Sequence, residues 1–170
     1  MPCVHRARKQ LGYEGCCVAA TIAASLFTNA WRIPTWAPQS AEMGLAHFTL
    51  PTRDVQATAS FFERTLGYAR NPIPGNSPVE ALWLDIGRGQ EMHVFYVEGF
   101  EAGPFEGEFG RHVAVFFPLA EFPALRQRLE REGAVLMEPL RATPFQRFFF
   151  REPINGYVFE VVDEERMRNT

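Results

Sequence analysis

The sequence predicts an α+β fold made of two βαβββ modules, and three observations carry that expectation. The chain from Gly44 onward can be laid against itself with a shift of about 65 residues. Each half holds one amphipathic helical stretch bounded by a polar start and a glycine stop. Each helix is followed by three short runs with the two-residue alternation of strands, separated by Pro and Gly.

The elements follow in order. His47-Phe48-Thr49-Leu50 opens the first half as a strand, and His112-Val113-Ala114-Val115 opens the second, 65 residues later. In the first helix Val55, Ala59, Phe62 and Leu66 recur along one face, with Asp54 as N-cap and Gly67 as stop. In the second, Phe122, Leu125 and Leu129 form the face, Pro123 sits in the first turn, and Gly133 ends it. Strands are expected at 68–73, 79–86 and 90–97, then at 134–140, 145–151 and 157–162. Residues 98–110, with four glycines and a proline, link the modules, which span about 44–98 and 110–163.

Residues 1–42 read differently from the 43–170 body. All three cysteines (Cys3, Cys16, Cys17) fall there, so the body has no disulfide framework, which fits a cytoplasmic protein. A basic start is followed by an apolar stretch too short to span a bilayer; it has the outline of a signal peptide, but Glu14 interrupts it and Thr28-Asn29-Ala30 is a poor cleavage site. Three readings fit this segment: a mis-assigned start, since Met43 directly precedes the first clean strand; a disordered or loosely packed extension; or an export signal. The net charge of −3 argues against a dedicated nucleic-acid binder and gives no reason to expect a membrane partner. Phosphate-loop, nucleophile-elbow and Cys-x-x-Cys motifs do not occur.

Strand alternation then selects a site. Val113, Val115 and Phe117 form one apolar row, so His112 falls on the opposite face with Ala114 and Phe116. By the same logic His47 lies with Thr49, His93 with Glu91 and Phe95, and Glu160 with Val158 and Val162. The first and last strands of each half therefore place His47 and His93, then His112 and Glu160, on the helix-free face. A Glu inside the apolar run Val158-Phe159-Glu160-Val161-Val162 is costly to bury without a partner, and a metal would stabilise it. Three imidazoles and a carboxylate suit one divalent ion such as Zn, Ni, Co, Mn or Fe(II). Taken singly, a strand His is more often a hydrogen-bonded residue than a ligand; the repetition at matching places is what favours a site.

Over residues 44–163 the chain resembles the vicinal oxygen chelate superfamily of glyoxalases, extradiol dioxygenases, fosfomycin-resistance enzymes and bleomycin-binding proteins. The likeness is carried by His47 before a strand, Phe61-Phe62 and Leu66-Gly67-Tyr68, Met92-His93-Val94, and Arg111-His112-Val113-Ala114. It ends in Phe149-Phe150-Arg151-Glu152-Pro153 through Asn155-Gly156-Tyr157-Val158-Phe159-Glu160, where Glu152 stands in place of the family's usual Asp. The resemblance implies modules whose sheets curl into a half-open cup around one metal, with helices on the outer face. It matches His47, His112 and Glu160 to the near-universal ligand positions. His93 matches a fourth position, where lyases and epimerases commonly carry Glu or Gln.

It further implies a homodimer whose cup is completed across subunits, and a metal-dependent enzyme acting on a small substrate with vicinal oxygens. In the glyoxalase-type lyase or isomerase reading, Glu160 is the ligand able to move a proton. In the extradiol Fe(II) dioxygenase reading, a further His or Tyr is required, and no other His remains in the body. A fosfomycin-type transferase needs basic neighbours, for which Arg147 and Arg151 are the candidates. A metal-independent drug-binding protein of the bleomycin-resistance kind would use Trp83, Phe95, Phe116 and the Phe148-Phe149-Phe150 run as ring walls. Trp83, Phe95, Phe116 and Arg147 are accordingly the candidate substrate-pocket residues.

Overall fold

The computed structural model describes residues 44–73 and 75–168. The expectations for residues 1–42 lie outside the described residues. Two four-stranded mixed sheets are built from β1 (His47–Thr52), β2 (Ala69–Asn71), β3 (Ala81–Gly87) and β4 (Gln90–Tyr96), then β5 (Val113–Phe117), β6 (Val135–Met137), β7 (Arg147–Arg151) and β8 (Val158–Asp163). The helices are α1 (Val55–Leu66) and α2 (Phe122–Arg131), with a short α3 (Glu164–Arg168) after the last strand. The strand orders, β1-β4-β3-β2 and β5-β8-β7-β6, are the same pattern used twice. In each module the outer pair β1–β4 or β5–β8 is parallel and the remaining pairs are antiparallel. A parallel pair needs a crossover, which α1 and α2 begin.

Local signals in the sequence set the helix ends. The Asp54 carboxylate accepts the Ala57 amide at 2.8 Å, and Gly67 takes a left-handed φ of 77° that a side chain would strain. α2 starts after a single 3-10 turn, Leu119–Glu121, with Pro in its first turn. The strands β2 and β6 are only three residues long, because the residues flanking them in 68–73 and 134–140 leave the ladder.

One apolar core serves both modules. Phe61 and Phe62 of α1 reach Phe150 and Phe159 of the second sheet, at ring-centroid distances of 6.2 and 4.9 Å. Leu50, Leu84, Met92 and Val94 from the first sheet, Leu125 and Leu129 from α2, and Phe148 and Val161 from the second sheet belong to the same cluster. Polar contacts also cross the seam. The Asn155 amide oxygen accepts from the Thr52 hydroxyl at 2.9 Å and the Arg53 amide at 3.2 Å, and its nitrogen donates to Thr58 at 3.1 Å. The Tyr157 hydroxyl donates to the Pro51 carbonyl at 2.9 Å. Glu152, the residue that departs from the family motif, closes the turn before β8. Its buried carboxylate accepts the amides of Ile154, Asn155 and Tyr157.

Because Asn155 is buried and bridges the two modules through the Thr52 and Thr58 hydroxyls and the Arg53 amide, Asn155→Ala should cost about 1–3 kcal/mol. Urea denaturation checks this. An unchanged midpoint would mean that the bond between the two threonine hydroxyls, 2.8 Å long, suffices without Asn155.

Candidate metal and substrate site

The faces of the two sheets away from the core carry the residues singled out by alternation. On the first sheet the ladder aligns His47 with Glu91, Thr49 with His93, and Trp83 with His93. The rings of Trp83, His93 and His47 form one stack. His93 lies 4.1 Å from Trp83 at 6° and 4.2 Å from His47 at 11°. Its Nε2 donates to Glu91 Oε2 at 2.9 Å, while Asn71 Nδ2 donates to Glu91 Oε1 at 2.8 Å. These hydrogen bonds, that from His93 foremost, hold the Glu91 carboxyl below the usual carboxylate range. His93 itself is 8% exposed, so it is a buried, doubly stacked ring with one nitrogen committed.

On the second sheet His112 sits one residue before β5, and Glu160 lies in the middle of β8. His112 Nδ1 is 3.1 Å from the Gly107 carbonyl, which can only accept, so Nδ1 carries the hydrogen. Nε2 is thereby turned toward Glu160 Oε2 at 3.4 Å. Two donors on one ion at bond lengths near 2.1 Å stand about 3–3.4 Å apart, and metal-bound histidines characteristically donate their second ring nitrogen to a carbonyl or carboxylate. The pair fits a divalent ion on both counts. Glu160 Oε1 is fixed at 2.7 Å by Arg147 Nη1, leaving Oε2 as the working oxygen.

Arg147 is the anchor beneath this pair. Its side chain is 2% exposed and also bonds Glu108 at 2.5 Å and the Arg141 carbonyl at 2.6 Å. Burial works against its charge, but the hydrogen bonds it donates to Glu160 and Glu108 outweigh it and hold its pKa above the ordinary arginine value. Burial likewise opposes the Glu108 charge, yet the amides of Leu140 and Arg141 and the Arg147 guanidinium keep that carboxyl below its usual range. Glu106, also in the segment between the modules, is buried, pairs with Arg111 and accepts the Val158 amide at 3.3 Å. Glu91, Glu106, Glu108 and the Gly107 carbonyl were not among the residues nominated from sequence. For Glu91 the signal was present, since it shares a strand row with His93; for the other three there was none.

The candidate pocket residues separate. Trp83 and Phe95 line a pocket of about 210 Å³ with Ile73, Asn76, Ser77 and Pro78. Phe116 lines a different cleft of about 580 Å³, beside Phe48, Tyr68 and Arg88. Arg147 lines neither and lies below Glu160. Among the described residues, no three His, Cys, Asp or Glu side chains converge to hold an ion. His47 and His93 stay on one sheet, and His112 and Glu160 on the other.

The two modules repeat one strand order, and a His–carboxylate pair stands on the face of the second sheet away from the core. The model of the Glyoxalase/Bleomycin resistance protein/Dioxygenase superfamily matches residues 44–161, and the chain belongs to that superfamily. Among solved structures, the fosfomycin resistance protein FosX from Listeria monocytogenes is similar at a TM-score of 0.60 and 16% identity, over 76% of this chain and 100% of that one. FosX from Mesorhizobium loti matches at 0.59 and 17%, over 76% and 98%. A possible glyoxalase from Bacillus cereus matches at 0.54 and 21%, over 71% and 98%. One Listeria FosX structure, at a TM-score of 0.60 and 17% identity over 75% and 98%, is a complex with Mn(II) and 1S,2S-dihydroxypropylphosphonic acid. No curated protein sequence matches the chain. Among the described residues no helix is long and apolar enough to cross a membrane.

Proposed function

We propose that this protein is a metal-dependent enzyme acting on a small substrate with vicinal oxygens, a lyase or isomerase of the glyoxalase type. The observation that supports this most is the His112–Glu160 pair. Nδ1 of the ring is tied to Gly107, one carboxylate oxygen is tied to Arg147, and the two remaining donor atoms face each other at 3.4 Å. His47 supplies the third donor, and His93 buttresses it by stacking. When bound, a divalent ion acts as a Lewis acid on adjacent substrate oxygens. In this reading Glu160 Oε2 takes a proton from one carbon and returns it to its neighbour, which conserves atoms and needs no oxidant. A transferase handling an anion is less well supported, because the Arg147 guanidinium is already paired with two carboxylates.

Since the donors within one chain lie in two separate pairs, the reading includes a homodimer in which His47 of one copy completes the site begun by His112 and Glu160 of the other. Mixing tests it. Chains carrying His47→Ala and chains carrying His112→Ala should each bind no Mn(II) in isothermal titration, while refolded mixtures recover one site per mixed dimer. With intrachain sites, every site in the mixture keeps one lesion, and no binding would return. Mn(II) binding that survives His112→Ala and Glu160→Ala separately would remove the metal-enzyme reading altogether.

A further inference from the structure

The segment that joins the modules carries two carboxylates to which the proposed chemistry gives no task. Glu106 and Glu108 stand on either side of Gly107, and both are sunk into the second module. The Glu106 carboxylate accepts the Val158 amide at 3.3 Å and the Arg111 guanidinium at 2.5 Å, and its backbone carbonyl accepts from Arg151 at 3.1 Å. The Glu108 carboxylate accepts the Leu140 and Arg141 amides at 2.5 and 3.1 Å and the Arg147 guanidinium at 2.5 Å. Burying two carboxylates so close together is a costly way to close a loop, which apolar side chains would do as well. Their placement around one glycine has a different consequence.

The carbonyl of that glycine is the group that orients His112. It accepts from His112 Nδ1 at 3.1 Å and from the Gly110 amide at 3.1 Å. The loop is closed at its neck, where the Arg111 amide donates to the Phe105 carbonyl at 2.8 Å and the Gly107 amide donates to the Arg111 carbonyl at 3.2 Å. At one point it is packed too tightly for any side chain: a Cβ on Gly110 would stand 1.8 Å from the Phe105 carbonyl oxygen. Glu106 pins this loop to the start of β8, two residues before Glu160. Glu108 pins it to Arg147, which holds Glu160 Oε1 at 2.7 Å. A neutral imidazole has two tautomers, and only the one with hydrogen on Nδ1 leaves Nε2 as a donor atom beside Glu160 Oε2. Both donor atoms of the pair are thus set from three consecutive residues, one through a backbone carbonyl and the other through a guanidinium.

We infer that Glu106 and Glu108 are positioning residues for the His112–Glu160 pair: together they hold the Gly107 carbonyl that selects the imidazole tautomer, and Glu108 holds the guanidinium that leaves one Glu160 oxygen free. Each acts through another group, Gly107 or Arg147. The inference rests on the proposed metal-enzyme reading and adds what keeps its ligands ready before an ion arrives. Groups preset in this way lose less freedom on binding. Removing such outer partners typically lowers metal affinity by about 10–100-fold.

The test uses the full-length protein with and without Mn(II). Gly110→Ala displaces the loop without removing a charge, while Glu106→Gln and Glu108→Gln each replace a carboxylate by an amide of the same shape. Gly103→Ala, where a Cβ meets nothing within 4 Å, is the control. The His112 tautomer is read in the metal-free protein from long-range nitrogen–proton NMR correlations, its signal assigned by its absence in His112→Gln. Isothermal titration gives the Mn(II) dissociation constant, and urea denaturation gives stability. In the wild type and in Gly103→Ala the ring hydrogen should reside on Nδ1. In Gly110→Ala and Glu106→Gln it should be shared between the two nitrogens, and Mn(II) should bind about 10–100-fold more weakly. Glu108→Gln should weaken Mn(II) binding to a similar degree. The double glutamine variant should lose less than the product of the two single losses, because either change releases the same loop. A lower urea midpoint with wild-type tautomer and wild-type Mn(II) affinity in the glutamine variants would overturn the inference and leave both carboxylates a purely structural role. Those two variants decide the matter if Gly110→Ala does not fold. If the wild-type protein takes up no Mn(II), the metal-enzyme reading fails, and the tautomer comparison still decides whether the loop orients His112.

Discussion

Arg147→Met should lower the stability of the folded protein by about 3–5 kcal/mol, the loss expected when one partner of a buried ion pair is removed. The guanidinium is 2% exposed and is the common partner of Glu160 and Glu108, whose side chains are 11% and 8% exposed. Without it, two buried carboxylates remain near each other with no cation between them, and the Arg141 carbonyl loses a donor. Met fills the apolar volume of the Arg stem against Phe149, so a cavity contributes little of the loss. The pH dependence distinguishes charge from packing. In the wild-type chain the Glu108 carboxyl is held below its unfolded value, so its contribution is present above that value, near 4.3, and is lost as pH falls through the lower folded one. In the variant, Glu108 has lost the guanidinium that favours its charged form, so protonating it costs the fold less. The gap between the two proteins should therefore be widest near pH 7 and narrow as pH falls below about 5. Urea denaturation at pH 4.5 and pH 7 reads this directly. An equal loss at both pH values would mean that Arg147 acts through packing and that Glu160 does not depend on it.

The consequence for function follows from the same geometry. Glu160 sits among Val158, Val161 and Val162, a place where a carboxylate is tolerated only with partners. Sequence alternation put it on the helix-free face and called for a partner, and a metal was the partner that chemistry suggested. The structure adds a protein partner as well: Arg147 holds one oxygen and leaves the other facing His112. Arg147 was nominated from sequence as a pocket residue, and strand alternation could not distinguish a side chain that enters a pocket from one folded under a carboxylate.

The same boundary separates what was legible from what was not elsewhere in the chain. The N-cap at Asp54, the left-handed Gly67 and the matching α2 signals are decided within a few residues, and periodicity reads them. The two-fold repetition of strand order emerges from that local pattern because each module buries the same alternate row. Residues 98–110 read as a glycine-rich linker, and composition gives no hint that Glu106 and Glu108 fold back. Their partners lie far along the chain, at Val158 and at Leu140, Arg141 and Arg147. The orientation of His112 depends on a carbonyl in that same segment, a backbone group no side-chain pattern encodes. His93 shows the converse. Its place on the helix-free face was legible, whereas its stacking between Trp83 and His47 depends on register between β1, β3 and β4.

Phe159→Ala should destabilise both modules together, by about 3–5 kcal/mol, with a fall in Tm of roughly 10–20 °C. Phe159 lies on β8 of the second sheet and is fully buried. One neighbour is Phe150 on the adjacent strand, stacked at 5.4 Å and 11°; another is Phe62 on α1 of the first module, at 4.9 Å and 59°. Deleting the ring therefore opens a cavity at the seam and removes apolar contact from both sides of it. The surrounding rings Phe61, Phe62 and Phe150 are all at most 1% exposed and held by their own backbones, so the space cannot collapse cheaply. Because this cluster is shared, protection from hydrogen exchange should drop by a similar factor in β3 and β4 as in β7 and β8, and heat unfolding should remain a single transition. Phe159→Leu, which keeps most of the volume, should lose less than half as much. Amides of β3 and β4 that keep wild-type protection while those of β7 and β8 lose it would show that the modules unfold independently, and the common core would then be two adjoining ones.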